Sequence, residues 1–369
     1  MCKQKLNILQ ILPSLNSGGV EKGTIEVASF LKKSGYGSFV ISSGGRLVKN
    51  LEKNGTKHFC LKIGNKSILA FLLIPKLLNF FYENNIDIVH VRSRFPAWIV
   101  YIALKFIRKG KKPNLVTSVH GFNSVSFYSS IMLKGDKVIV VSRSLLKFLS
   151  NHYQFDRKKI HVIHRGVPKD FRIEIDKTFL AWKENFYKEF NINQNTKILL
   201  LPVRISKHKG IEFFLDLIFA LKNKNINVVG FIVGDAKSSS YLKKINRRIC
   251  NLDIQAEIFI PGYRSDIYNI MKISTITYSL SLLPEAFGRT VIESIRIGTP
   301  VIGFDHGGVG EQLKEIFPHG LVKVFHSQKL MKKTLSFLTN RPKLKKVDSF
   351  VLENMLEETL DVYKSFKNI

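Results

Sequence analysis

Short apolar runs rich in Ile, Val and Leu alternate along this chain with segments whose apolar residues recur every three or four positions. The runs LNILQIL, SFVISSGG, IDIVHV, NLVTSVHG and DKVIVVS predict strands, and their near-continuous apolar character is that of strands buried on both faces. Between them GVEKGTIEVASFLKKSG, closed by Gly35, PAWIVYIALKFIRKG and RSLLKFLSNHY predict helices, and KIHVIHRGV ends the first series. Pro168 to Asn195 is polar, aromatic and charged, with helical spacing and no strand. The alternation then restarts with KILLLPV, GIEFFLDLIFALKNKN, NVVGFIVGDA, AEIFIPGY, STITYSL, TVIESIRIG and TPVIGFDHGG. FVLENMLEETLDVYKSFKNI reads as a closing helix. This rhythm predicts an α/β chain of doubly wound parallel sheets. The interruption predicts two Rossmann-like domains, residues 1–170 and 171–345, and a closing helix over 346–369. Ligands of such sheets sit beyond the carboxyl ends of the strands, so two facing sheets make a cleft and the residues after each strand become the candidates.

With 369 residues, 45% of them hydrophobic, the chain can bury two ordinary cores. The N-terminus MCKQKLNILQILPSLNSGGVE starts basic, but its apolar run is short and broken by Asn7, Gln10 and Pro13, and no small-residue cleavage site follows. It predicts a first strand rather than a secretory leader. SILAFLLIPKLLNFFY, interrupted by Pro75 and Lys76, is too short and too broken to span a bilayer. Cys2, Cys60 and Cys250 lie far apart, give neither metal spacing nor a disulfide framework, and suit a reducing cytoplasm.

The net charge is +30, from 58 Lys and Arg against 28 Asp and Glu. Residues 1–170 carry 28 basic and 8 acidic side chains; the remainder carry 30 and 20. Such a field attracts polyanions: nucleic acid, anionic lipid or phosphorylated glycolipid. A Lys-, Asn- and Ile-rich composition from AT-biased coding gives the same total, but accounts less well for the asymmetry.

The strand-end motifs carry the chemistry. In LNSGGVEKGTIEVA, Gly18 and Gly19 follow the first strand and precede a helix, where backbone N–H groups can approach a phosphate or sugar; a plain tight turn reads equally well. The motif is not G-x-G-x-x-G, and no acidic residue ends the second strand, which disfavours a nicotinamide site. LLLPVRISKHKG sets Arg204, Lys207 and Lys209 on one loop before Gly210, suiting a diphosphate or, alternatively, a solvated basic loop. In PEAFGRTVIE a helix starting near Gly288 turns the N–H groups of Phe287, Gly288 and Arg289 toward a phosphate. Glu285 then precedes the helix and Glu293 lies inside it, so the two need not act as a pair. Each carboxylate can accept from vicinal hydroxyls, and two polyol contacts flanking a phosphate contact fit a nucleotide sugar. TSVHG brings His120 and Gly121 to a strand end, as a structural or a functional histidine. VHVRSRFPAW brings Arg92 and Arg94 to another, where they could hold an acidic acceptor or serve as buried ion-pair partners. Lys105, Arg108, Lys109, Lys111 and Lys112, with the apolar ILAFLLIPKLLNFFY, fit an anionic membrane surface or a core helix. No D-x-D occurs, so the usual carboxylate pair for a catalytic divalent metal is missing, and no Ser/His/Asp or Cys/His arrangement stands out.

In order, GGVE, HG, GDKVIVVS, VIHRGV, VRISKHKGI, FIVGD, IPGYRSDI and PEAFGRTVIESIRIGTPVIGFDHGGVGE resemble the retaining nucleotide-sugar glycosyltransferases of GT-B fold, glycosyltransferase family 4. The resemblance covers most of the chain, and the E-x7-E block is its specific part. VHVRSRFPAW with KGDKVIVVS resembles a bacterial subgroup that builds surface polysaccharide or lipopolysaccharide core. The resemblance implies that Arg204 and Lys209 hold the donor diphosphate, Glu293 the ribose and Glu285 the donor sugar. Phe287, Gly288 and Arg289 would add contacts at the helix start, and Gly18 and Gly19 would approach from the first domain. His120 would touch the donor sugar near the reacting carbon, and Arg264 would lie near the nucleobase. Glu285, His120, Arg204 and Lys209 are thus the expected catalytic group, with Arg92 and Arg94 toward the acceptor. Two positions depart from the family: Pro202-Val203 where a Gly usually precedes the loop Arg, and Arg165 where Asn usually precedes GV.

The implied reaction retains anomeric configuration without metal or other cofactor. Arg204 and Lys209 offset charge on the leaving diphosphate, and its oxygen takes the proton of an acceptor hydroxyl attacking from the same face. The expected partners are a nucleotide-sugar donor, with UDP favoured, and an anionic glycolipid or oligosaccharide acceptor. The basic first domain would rest on the inner face of the cytoplasmic membrane. A GT-B nucleotide-sugar epimerase and a non-catalytic polyanion binder remain alternatives. The first needs no acceptor, which the basic first half argues for. The second wants aromatics interleaved with basic residues or a helix-turn-helix, and neither occurs, so nucleic acid is not an expected partner.

Overall fold

The computed structural model describes residues 5–366 except 17, 66, 109 and 237, so Cys2 and Lys109 lie outside the described residues. The chain divides into two compact units, Met1–Arg165 with Leu352–Ile369, and Gly166–Val351.

In the first unit, β1 (Asn7–Ile11), β2 (Gly37–Ser42), β3 (Lys57–Cys60), β4 (Ile88–Val91), β5 (Asn114–Val119), β6 (Lys137–Val140) and β7 (Ile160–Val162) form one sheet. Its order is β3-β2-β1-β4-β5-β6-β7, and every pairing is parallel. The helices are α1 (Gly19–Lys33), α2 (Val48–Lys53), α3 (Ile74–Glu83), α4 (Arg94–Phe106), α5 (Phe127–Ser130) and α6 (Arg143–His152). The apolar run around Pro75 forms a 3₁₀ turn over Ile68–Leu73 and then α3. Pro75 falls in the first turn of α3, where its missing N–H costs no intrahelical bond. Ile74, Leu77, Phe80 and Phe81 are buried, while Leu69, Leu72 and Tyr82 are exposed.

In the second unit, α7 (Lys177–Glu189) precedes β8 (Lys197–Pro202), α8 (Ile211–Lys222), β9 (Val228–Val233), α9 (Ser239–Asn251) and β10 (Ile258–Gly262). Next come α10 (Ile267–Ile273), β11 (Ile276–Ser279), α11 (Arg289–Ile297), β12 (Val301–Phe304), α12 (Gly307–Ile316), β13 (Leu321–Val322) and α13 (Ser327–Thr339). The sheet order is β10-β9-β8-β11-β12-β13, again all parallel. Asp176 caps α7 by accepting from Phe179 N–H. The helical spacing of Phe179, Trp182, Phe186 and Phe190 builds an aromatic layer in which Phe186 and Phe190 pack on Phe231, and Phe190 also on Phe259.

The last helix, α14 (Leu352–Lys364), belongs to the first unit. Its Met355, Leu356, Leu360, Val362 and Tyr363 complete a core with Ile8, Val27, Leu31, Ile88, Val116 and Ile139. Among the described residues no helix is long and apolar enough to cross a membrane.

Strand order reverses between β1 and β4 in one sheet and between β8 and β11 in the other. In doubly wound sheets such reversals of strand order, at the carboxyl ends of the strands, are where ligands bind.

Candidate functional site

The β8/β11 reversal brings together two loops distant in sequence. Gly210, before α8, has φ +70°, and a Cβ there would stand 1.9 Å from the Leu280 carbonyl oxygen. Only glycine lets the loop after β8 lie against the end of β11. Leu282 N–H donates to His208 O at 2.8 Å across the same contact. Lys209 is thereby turned inward: its Nζ donates to Glu285 Oε1 at 2.6 Å and lies 3.5 Å from Ser281 Oγ. Ser281 Oγ donates to the same carboxylate oxygen. The Lys209 and Glu285 side chains are 24% and 23% exposed. Burial pushes the Glu285 carboxyl up, but the Lys209 charge and the hydrogen bonds of Lys209 and Ser281 outweigh it, with a smaller contribution from His306; the group is held below the usual carboxylate range. Arg204 and Lys207 of the same loop are exposed, and Arg204 makes no hydrogen bond or ion pair with another described residue.

The backbone carrying Glu285 is fixed by the glycine pair that opens α12. Cβ atoms at Gly307 and Gly308 would stand 2.6 Å from Glu285 O and 2.5 Å from Phe287 Cα, and Gly308 N–H donates to Glu285 O at 2.7 Å. Gly288 caps α11 with φ +81° and no side-chain capping bond. Buried Gln312 donates from Nε2 to the carbonyls of Phe287, Gly288 and Gly308. The Phe287 ring is buried edge-on against Phe350. Glu293, 6% exposed, accepts at Oε1 from Arg289 Nε and Tyr268 Oη, each at 2.9 Å. Arg289 and Glu293 are therefore paired with each other one helical turn apart. Arg264 commits all three of its nitrogens: Nε and Nη2 to Asp266 at 2.9 and 2.7 Å, and Nη1 to Glu189 at 2.6 Å. It also lies over the Phe186 and Phe190 rings. The Asp266 bonds foremost raise its pKa above the ordinary arginine value, against burial.

In the first unit, Gly18 (φ +139°) caps α1, and beside Gly19 a Cβ would meet no described atom within 4 Å. Arg92, at the β1/β4 reversal, is buried; its Nε and Nη2 donate to Gln10 Oε1 at 3.0 and 2.5 Å, and Gln10 Nε2 donates to Thr24 O. Arg94 Nη1 donates to Ser129 Oγ at 2.9 Å, and its guanidinium lies over the Tyr128 ring. His120 lies 3.3 Å from the Nη2 of buried Arg165. A cavity of about 10 Å³, room for about one water, is lined by Arg92, His120, Arg165, His90 and Ser118 among others. Among the described residues no three His, Cys, Asp or Glu side chains are grouped to hold a metal ion.

The sequence motifs thus separate. Lys209 and Glu285 meet; Arg289 and Glu293 meet; Arg204 stands apart; Arg264 is tied to neighbouring acids. Ser281, His306, Gln312 and Tyr268 join the second-unit site without having been read from sequence. Ser281 and His306 could have been found as strand-end residues after β11 and β12. Gln312 and Tyr268 carry no local signal.

The family model described as Glycosyltransferase Family 4 matches residues 17–171, and that described as Glycosyl transferases group 1 matches residues 183–350. The chain is similar to a solved glycosyltransferase from Rickettsia africae ESF-5, with 32% identity, 99% of each chain covered and a TM-score of 0.85. It is also similar to Anabaena HepE, solved in complex with UDP and glucose, at 18% identity and TM-score 0.80 over 99% of this chain and 100% of that one. An Escherichia coli relative, UDP-Gal:alpha-D-GlcNAc-diphosphoundecaprenol alpha-1,3-galactosyltransferase, is 22% identical over 98% of this chain and 97% of its own length. An uncharacterized glycosyltransferase of Methanocaldococcus jannaschii is 24% identical, and there the match covers 67% of this chain and 63% of that protein's length.

Proposed function

Because the chain belongs to the glycosyltransferases of GT-B fold, we propose that it moves a sugar from a UDP-sugar to a hydroxyl of an anionic glycolipid or polysaccharide acceptor of the cell envelope, with retention of anomeric configuration. The observation that carries this reading is the Lys209–Glu285–Ser281 cluster at the β8/β11 reversal, beside the uncapped start of α11. An ammonium and a helix N-terminus suit a diphosphate, and a carboxylate held ionised suits sugar hydroxyls. Arg204, exposed on the same loop, adds a second cation. HepE with UDP and glucose and the UDP-Gal-dependent relative support the donor class, and the diphosphoundecaprenol-linked substrate in the latter's name supports an anionic, lipid-linked acceptor.

On this reading Lys209 and Arg204 offset the charge that develops on the leaving diphosphate. The departing phosphate oxygen takes the acceptor proton, and Glu285, already ionised, orients the sugar rather than donating a proton. Arg94 bears on the acceptor; Arg92, expected beside it, is instead buried and tied to Gln10. The reaction proceeds without a metal ion. The first unit meets the inner membrane surface through exposed Leu69, Leu72, Tyr82 and Phe106 with Lys76, Lys105 and Arg108 on the same segments.

Thermal-shift binding against UDP, GDP, ADP and their sugars, with and without chelator, tests the proposal. A shift with UDP and its sugar, unchanged by chelator and lost in Glu293→Ala, is expected. Stabilisation by GDP or ADP alone would refute the donor, and a shift abolished by chelator would refute the metal-free reading. Glu285→Gln that binds donor normally yet is inactive would refute a purely orienting role.

A further inference from the structure

The first turns of α12 hold the chain between Glu285 and Gly288 from its buried side. Gly308 N–H donates to Glu285 O at 2.7 Å. Gln312, one turn along and fully buried, turns its Nε2 onto the carbonyls of Phe287, of Gly288 at 3.2 Å and of Gly308 at 3.3 Å. The carbonyls of Glu285, Phe287 and Gly288 are thus all bound from α12. Chemistry sets the orientation of this amide: turned over, Oε1 would face the same oxygens, and two acceptors cannot bond. The arrangement leaves Oε1 without a hydrogen-bond partner among the described residues, which carries a desolvation cost. Few side chains could replace it. Leu and Met donate nothing, an ionised Glu only accepts, and Lys would bury a charge.

A trans peptide is planar, with its C=O and N–H on opposite sides, and no cis peptide occurs among the described residues. Carbonyls drawn toward α12 therefore turn the following N–H groups, those of Ala286, Gly288 and Arg289, away from it. Gly288 is left-handed, at φ 81° and ψ 57°, and Arg289 begins α11. A left-handed residue beside a right-handed one makes successive N–H groups converge on a concavity that suits an anionic oxygen. The N–H groups of Ala286 and of buried Gly288 have no hydrogen-bond partner among the described residues. Glycine visits many conformations at similar cost, so the aim of these groups is set by what holds the carbonyls on the other side. Val291 N–H contributes one bond, to Gly288 O at 3.0 Å. Gln312 reaches that oxygen and also Phe287 O, whose peptide carries the Gly288 N–H.

We propose that Gln312 is a positioning residue: acting through the backbone, it aims the N–H groups at the start of α11 toward the donor diphosphate and so sets the affinity for that group. This rests on the reading that Lys209 and the start of α11 hold a diphosphate.

Inorganic pyrophosphate and uridine, titrated separately into the full-length protein and read by thermal shift, divide the phosphate contact from the rest of the site. In Gln312→Met, of similar length but without a donor, pyrophosphate should bind at least about tenfold more weakly, while uridine stays within about twofold. Unchanged pyrophosphate affinity in the folded variant, or equal weakening of both ligands, would overturn the role of Gln312 alone. Gln312→Glu adds a test of rescue. Its carboxylate repels the carbonyls, whereas the protonated form, favoured by burial, donates to one of them. Relative to wild type at the same pH, its pyrophosphate affinity should recover at least about threefold between about pH 7.5 and about pH 5.5; no recovery would count against the proposal. In the wild type, pyrophosphate should slow deuterium uptake by the backbone of residues 286–289, and unchanged uptake there would overturn the proposal without any variant. A wild type stabilised by neither pyrophosphate nor UDP would overturn the diphosphate reading beneath it.

Discussion

Replacing Lys209 with methionine keeps the apolar stem of the side chain and removes the charge that Glu285 faces at 2.6 Å. A fully buried ion pair broken from one side costs about 3–5 kcal/mol, and an exposed pair about 0.2–1 kcal/mol. Here three quarters of each side chain is covered, and Ser281 still donates to the carboxylate. The expected cost of Lys209→Met is therefore about 2 kcal/mol, a fall in Tm of roughly 4–8 °C for a unit of this size. Glu285→Gln leaves an ammonium that reaches Ser281, and should cost about 1 kcal/mol. If the two side chains form one interaction, the double variant costs at least about 1 kcal/mol less than the sum, because neither charge is then left unpaired.

The pH dependence has a definite sign. The Glu285 pKa is depressed in the folded protein, so its contribution is present above the unfolded value of about 4.3 and is lost as pH falls through the folded value. Without Lys209 the burial that pushes the carboxyl up remains and its main opposing charge is gone. The deficit of Lys209→Met should then be largest at pH 7 and shrink toward pH 4 as Glu285 protonates. Urea denaturation of wild type, both single variants and the double variant at the two pH values measures all of this. Costs additive within about 0.5 kcal/mol, or a deficit that does not change with pH, would refute the reasoning that Lys209 and Glu285 are coupled.

The remaining predictions separate structural from ligand-directed roles. Gly210→Ala, forced into φ +70° and onto the Leu280 carbonyl, should cost at least about 2 kcal/mol in urea or fail to accumulate as folded protein, whereas Gly19→Ala, in open space, should stay within about 0.5 kcal/mol of wild type while losing transfer activity. Tyr268→Phe removes a donor to the buried Glu293 carboxylate and should lower stability by about 1.5 kcal/mol, read as a shift in urea midpoint. Arg264→Lys keeps the charge but loses the two-pronged Asp266 contact and the cover over Phe186 and Phe190; a drop of about 2 kcal/mol with UDP binding intact would show it to be structural. Leu69→Ser with Leu72→Ser should leave Tm unchanged, since both side chains are exposed, and reduce co-sedimentation with phosphatidylglycerol vesicles.

The strands were legible because parallel strands buried on both faces are written as near-continuous apolar runs, as in KILLLP of β8 and VVGFIV of β9. β3, KHFC, escaped for the converse reason: it is an edge strand with Lys57 and Cys60 exposed, and its four residues hold no such run. The aromatic spacing of α7 was visible, and so were the glycines of the site, but not what their neighbours are. That Gly307 and Gly308 press on the Glu285 backbone depends on β11 and β12 lying side by side, which no local period encodes. Arg264 is a partial exception, since Asp266 stands two residues away and the pair could have been suspected from sequence. The separation of Lys209 from Lys207 was beyond reach. Both are lysines of one loop, two residues apart, and either charge suits a diphosphate. The left-handed turn at Gly210 and the reversal of strand order between β8 and β11 leave Lys207 exposed while holding Lys209 against a carboxylate 76 positions away. Strand order, a property of the whole sheet, is what selects between them.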